Sequence, residues 1–91
     1  MEDQETLVRL GEEAEMLLDS QAFSSTINAL VDASFQTFSN TAPLESEKRE
    51  VAYHSYRALV DIVSTLRQRV SVKDEIVSQS ADDDTNQEGG A

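Results

Sequence analysis

The sequence predicts an all-α protein. Its core is an antiparallel helical hairpin, formed by helices at about 20–39 and 44–77, with a short N-terminal helix at about 3–18. Apolar residues recur at steps of three and four as far as residue 77, which is the period of a helix. The only proline, Pro43, separates the two longest periodic segments. Residues 78–91 contain no large apolar residue, so we expect a single helical domain at 1–77 and a disordered acidic C-terminal tail at 78–91.

The N-terminal helix is predicted by an apolar stripe that follows an acidic start. Acidic residues crowd the first turn, where the helix dipole favours negative charge. Gly11 costs about 1 kcal/mol relative to Ala inside a helix. It indicates either a close backbone approach or a tolerated surface glycine. The stripe consists of Leu7, Leu10, Ala14, Leu17 and Leu18.

The second helix is predicted to begin after Asp19-Ser20, because either side chain can accept a hydrogen bond from a free N–H of the next turn. Ser34 lies inside the apolar stripe of this helix, and Phe35 lies at its edge. The stripe itself consists of Phe23, Ile27, Leu30, Val31 and Phe38.

The third helix carries the strongest periodic signal, a heptad seam formed by Ala52, Tyr56, Leu59, Val63, Leu66 and Val70. Tyr53 widens this seam on one flank and Ile62 widens it on the other. The preceding helix of about 20 residues is too short to cover all of the third helix. We therefore predict that Phe35, Tyr53 and Ile62 stay near the surface and form a candidate interaction surface.

Composition and charge exclude several classes of protein. The chain has 91 residues, and 7 Lys and Arg oppose 18 Asp and Glu, for a formal net charge of −11. This charge repels polyanions, so we expect no direct nucleic-acid binding and no binding to anionic membranes. The apolar runs are far shorter than the ~20 residues that cross a bilayer. We expect the partner to be a second copy of the chain or a larger protein.

Residues for catalysis or metal binding are sparse. The chain has no cysteine, and its one histidine, His54, lies between Tyr53 and Ser55 on the exposed side of the third helix. The run Asp82-Asp83-Asp84 lacks the spacing, the glycine and the final glutamate of a calcium loop. Glycine-rich phosphate-binding motifs are also absent from the sequence. We therefore expect no enzymatic activity, no catalytic or metal site and no cofactor.

Short motifs spread over residues 7–77 indicate a possible origin. They are Gly11-Glu12-x-Ala14-x-x-Leu17-Leu18, Ala22-Phe23, Thr41-x-Pro43-x-Glu45, Arg49-Glu50 and Ala58-Leu59. Together they resemble small helical proteins encoded in the head and tail gene clusters of tailed bacteriophages, especially podovirus-like ones. The resemblance implies a small virion-associated or assembly protein without enzymatic activity, located in the virion or the host cytoplasm.

Two functions follow as alternatives. The first is a non-enzymatic phage virion-associated or assembly protein that packs its helices against itself or against a larger phage structural protein. The second is an acidic inhibitor that mimics DNA and occupies a host nucleic-acid enzyme. Mimics spread carboxylates over a folded surface, whereas 13 of the 18 acidic residues here lie within 1–19 and 74–91. The distribution of charge favours the first alternative.

Overall fold

The computed structural model of the chain is all-α. It describes the backbone of residues 3–89 and the side chains of residues 3–81. That part of the chain forms three helices and no strand: α1 (Gln4–Asp19), α2 (Gln21–Ser39) and α3 (Ser46–Gly89). The predicted fold class is confirmed, with α1 as the short N-terminal helix and with α2 and the first part of α3 as the hairpin.

Tertiary contacts divide the chain into two compact units. The first unit contains α1 up to Leu17 and the part of α3 from Leu66 onward. The second unit runs from Leu18 to Thr65 and contains α2, the connecting loop and the first part of α3. We call the second unit the hairpin unit.

Side-chain caps begin the first two helices. The Asp3 carboxylate accepts a hydrogen bond from the Thr6 N–H (2.8 Å), and the Ser20 hydroxyl oxygen accepts one from the Phe23 N–H (3.2 Å). The backbone of Ser20 is extended, with φ −72° and ψ 120°, so this one residue interrupts the helical chain between α1 and α2. The cap predicted at Asp19-Ser20 is thus confirmed at Ser20, because a serine there satisfies an N–H that the helix leaves free.

The third helix begins two residues later than the predicted position 44. The Glu45 N–H donates to the Ala42 carbonyl (2.9 Å) and closes a turn around Pro43 and Leu44. The first helical bond is then the one from the Arg49 N–H to the Glu45 carbonyl (3.2 Å). The turn therefore takes up the residues that the periodicity assigned to the helix.

The helix α3 also continues past residue 77, where the sequence predicts it to end. The helix continues to Gly89, and residues 90 and 91 lie outside the described residues. Between Ser46 and Gly89 there is no proline or glycine to end the helix, and each residue added to an existing helix gains one hydrogen bond. The side chains at 78–81 are exposed, so this extension rests on the helical backbone and not on packing at those positions.

Close packing in the first unit occurs at Gly11, which is buried. A Cβ placed on Gly11 would lie 2.7 Å from the carbonyl oxygen of Arg69 and would overlap the Cβ of Lys73. The glycine therefore marks a close approach of α1 to α3, which is the first of the two explanations given by the sequence. Ala14, one turn later, is also buried and extends the same contact line.

The seam of α3 is buried unevenly. Ala52 and Leu66 are buried, whereas Leu59, Val63 and Val70 are half-buried. Tyr56, the remaining predicted seam residue, is exposed. Within the hairpin unit, α2 turns Phe23, Ile27, Val31 and Ser34 partly inward. Two helices in contact bury only one narrow line each, so most of the large apolar side chains on either side of that line stay accessible.

The contact at Gly11 gives a prediction in which two effects have opposite signs. Gly11→Ala gains about 1 kcal/mol of helix propensity. It also forces a methyl group against the α3 backbone, and overpacking of this kind costs typically about 1–3 kcal/mol. We expect a net loss of stability in urea unfolding. The exposed neighbour supplies the control, since Glu12→Ala should be neutral or stabilising. Stabilisation by Gly11→Ala would contradict the close approach.

The extension of α3 gives a second prediction. Deleting residues 79–91 should shift the melting temperature by no more than a few degrees, because the described side chains there bury nothing. The total helical circular dichroism should fall by the share of helix removed. Deleting 70–91 is the matched control and should lower the melting temperature strongly, since it also removes half-buried Val70 and Lys73. A large shift from the shorter deletion would show that the segment packs on the rest of the chain.

Candidate functional site

The hairpin unit has an open apolar groove on one side of the α2–α3 contact. The groove has a volume of about 440 Å³. Four aromatic side chains line it, and so do the small residues Ser34 and Ala52. We call it the aromatic groove; its other lining residues are Val31, Asp32, Phe35, Phe38, Tyr53 and Tyr56.

The opposite side of the same contact has a shallower depression of about 420 Å³. Ser34 and Ala52 line it as well, so these two small residues lie between the two sides. None of its lining residues is charged. We call it the uncharged face; its other residues are Leu30, Ala33, Thr37, Val51, Ser55, Ala58 and Leu59.

The structure divides the predicted interaction surface between these two sides. Phe35 and Tyr53, which are 64% and 51% exposed, both line the aromatic groove. Ile62 is 45% exposed and does not line that groove. It follows Ala58 by four residues and Tyr53 by nine, so it continues the uncharged face on the far side of α3. All three side chains are accessible, but only two of them share a site.

Asp32 is the one charged residue that lines the aromatic groove. Two cations of α3 in this unit are already engaged: Arg57 pairs with Asp61 (3.3 Å), and Arg49 binds the loop. Aromatic rings and a carboxylate both attract cations. The groove therefore suits an apolar helix that presents a lysine or arginine.

Arg49 binds the loop between α2 and α3. Its guanidinium donates to the carbonyl oxygens of Ala42 (2.7 Å) and Pro43 (3.2 Å) and to the Thr41 hydroxyl (3.3 Å). Leu44, at the tip of this loop, is 97% exposed. Because Arg49 binds the loop backbone, Leu44 loses little backbone freedom when it contacts a partner.

An ion pair connects α1 to α3 in the first unit. Lys73 has a half-buried side chain, and its ammonium group donates a hydrogen bond to the Glu15 carboxylate. This hydrogen bond, helped by the nearby charges of Glu15 and Asp74, raises the pKa of Lys73 above its ordinary value. The lysine stem lies against Gly11 while its charged end reaches the surface. Its role here is to hold two helices together.

Other chemistry-bearing residues are scattered. Within the side chains described at 3–81, no three His, Asp or Glu residues lie close enough together to hold a metal ion. His54 is exposed, and its ring meets the ring of Tyr53 edge-on at 5.8 Å. The acidic run Asp82–Asp84 lies outside the residues whose side chains are described.

The sequence reasoning missed the uncharged face. Its signal was present, because Val51, Ser55, Ala58 and Ile62 follow one another at helical steps without a charge. This face becomes apparent when the charged residues on each side of α3 are counted in addition to the apolar seam. Val51, which is 66% exposed, belongs to this face but not to the apolar seam.

Comparison with known proteins identifies no relative: no family model matches the chain, and neither a curated protein nor a solved structure is significantly similar to it. Among the described helices, none has a stretch that is both long and apolar enough to span a membrane.

The loop gives a prediction about pH. A hydrogen bond from Lys48, together with one from the Ala42 N–H (2.7 Å), lowers the pKa of Glu45 below its ordinary value of 4.5. A lowered carboxyl pKa stabilises the fold above the unfolded value, and this contribution is lost as the pH falls through the folded value. Stability in urea should therefore decline below about pH 4.5. Glu45→Gln should weaken this decline, because it removes the carboxylate that accepts these hydrogen bonds.

Proposed function

We propose that this chain is a non-enzymatic phage virion-associated or assembly protein that acts by helix packing, with itself or with a larger virion protein. Its place of action is the virion or the host cytoplasm. The phage assignment rests on the resemblance of the motifs between residues 7 and 77. The packing assignment rests on the distribution of apolar side chains in the structure.

One observation carries the packing proposal. Among the described side chains, the buried apolar residues are Ala14, Ala52 and Leu66, whereas eleven large apolar side chains are exposed. Single exposed apolar residues are ordinary on a protein surface, but contiguous ones mark interaction sites. In the hairpin unit they are contiguous, since Phe35, Phe38, Tyr53 and Tyr56 share one groove. A helix placed in this groove would bury all four aromatic rings.

The aromatic groove is the part of the surface best suited to a larger partner. Its lining offers a carboxylate, Asp32, and four rings, and it presents no cation. A partner helix with aliphatic side chains and one basic residue matches both properties. A partner without a basic residue would leave Asp32 unpaired at the interface, which costs binding energy.

The test has two parts. Mass spectrometry of purified phage particles should detect the chain, and affinity capture from infected cells should recover a larger structural protein. Phe35→Ala should weaken that capture at least about tenfold, since aromatic side chains in a groove dominate helix binding. Gln36→Ala, at the adjacent exposed position, is the matched control and should have no effect.

Contrary results are well defined. Absence from particles, no captured protein and a constant mass of 10.1 kDa at all concentrations would contradict the proposal. Stoichiometric inhibition of a host nuclease or polymerase by the purified chain would instead support the DNA-mimic alternative. For that alternative, substitutions at 82–84 should weaken inhibition, because mimicry depends on carboxylates.

A further inference from the structure

The uncharged face is the second accessible apolar surface of the hairpin unit. Leu30 and Val51 are 47% and 66% exposed on this face, and Ile62 continues it toward the C-terminal end of the unit. Positions of a helix that stay in water are ordinarily filled with charged or long polar side chains. Here the side of α3 from Val51 to Thr65 offers only Val, Ser, Ala, Ile and Thr at the helical steps. A helix face without charged side chains is typical of an interface with another protein surface.

Charge decides which kind of surface can cover it. The chain carries a net charge of −11, and 27% of its residues are charged, yet none of them lines this face. The depression itself therefore offers a basic partner no carboxylate and an acidic partner no cation. The adjoining depression, which shares Ala33 and Thr37 with it, is lined by Glu45 and Lys48, and these two side chains pair with each other. The matching surface must itself be apolar and uncharged.

We propose, on the basis of the helix-packing function above, that the uncharged face binds the same face of a second copy of this chain in a two-fold symmetric pair. In such a pair the same patch of both copies is in contact, so a charged side chain near the two-fold axis lies close to the identical charge of the second copy. The uncharged face avoids this repulsion. The aromatic groove does not, because self-pairing there would place two Asp32 carboxylates in one interface without a lining cation.

The sizes of the side chains support the same pairing. Ala33, Ser55 and Ala58 leave the surface shallow at its centre, so helices of the copy can approach to the usual distance of about 8–10 Å or less. Leu30 and Val51 stand out beside these small residues and can fill depressions in the copy. The pair is then a bundle of four helices, in which each hairpin unit supplies two.

Two serines of α3 provide a matched test. Ser55 lines the uncharged face, and Ser64 lies nine residues later, which places it on the opposite side of α3. Both serines are exposed, so each tolerates substitution by glutamate without loss of packing. Ser55→Glu inserts a carboxylate into the proposed interface, whereas Ser64→Glu adds the same charge outside it.

Sedimentation equilibrium of the full chain over a hundredfold range of concentration measures the result. The wild type should rise from 10.1 kDa toward twice that mass. Ser55→Glu should weaken the association about a hundredfold or more, because it buries an unpaired charge. Ser64→Glu should leave the association unchanged, and circular dichroism should show the same helicity for all three proteins. If Ser55→Glu loses helicity, Ala33→Glu, on the α2 side of the same face, replaces it with the same expected result.

Each contrary outcome overturns a different statement. Association that survives both Ser55→Glu and Ala33→Glu overturns the assignment of the face, while helix packing as the function stands. Weakening by Ser64→Glu alone places self-association on the other side and also overturns the assignment. A constant 10.1 kDa for the wild type overturns the second copy as the occupant, and the proposed function then depends on capture of a larger protein through the aromatic groove.

Discussion

Small residues at the helix contacts govern how this chain packs. Gly11 lets α1 approach the backbone of α3 in the first unit, and Ser34 and Ala52 lie between the two sides of the hairpin unit. Helices that meet at small side chains gain close van der Waals contact along a narrow line. Most larger apolar side chains then flank that line and stay accessible. The exposure of Phe35 on one side and of Val51 on the other follows from this arrangement.

Five of the seven cations of the chain form an ion pair or hydrogen bonds within its own units. Lys73 joins α1 to α3, and Arg49 binds three oxygens of the loop. Lys48 and Arg57 pair with carboxylates three and four residues away. With 18 acidic against 7 basic residues, the excess of carboxylates determines the field around the chain. A surface without charged side chains is unusual on such a chain. It is where electrostatic repulsion opposes contact with a second acidic molecule least.

Local features of the fold were predictable from the sequence, and features that depend on distant residues were not. The cap at Ser20 and the seam at Ala52 and Leu66 depend on neighbours within one or two turns, and both predictions hold. The start of α3 was placed two residues early because the Glu45 N–H bonds to the Ala42 carbonyl and closes a turn at Pro43, which the apolar periodicity does not reveal. The two explanations for Gly11 were separated only by the position of Arg69, 58 residues away.

The candidate site shows the same limit. The sequence predicts that Phe35 and Tyr53 are accessible, since each lies at the edge of an apolar stripe. It does not predict that they share a groove, because this depends on how α2 and α3 are rotated against each other. Ile62 was grouped with Phe35 and Tyr53 only because it was expected to be accessible. The helical period places it on the opposite side of α3 from Tyr53.

The sequence separation of the contacts also orders the folding of the chain. Contacts of the hairpin loop join residues six to eight positions apart, such as Arg49 and Ala42, whereas the pair of Glu15 and Lys73 spans 58 residues. Closing a longer loop costs more chain entropy, and that cost precedes the gain from the contact. We therefore expect the hairpin unit to form first and α1 to dock onto a helix that is already in place. Undocking of α1 would then open the first unit while the hairpin unit stays folded, so we expect amide protons around Gly11 to exchange with solvent sooner than those of the hairpin contact at Ala52.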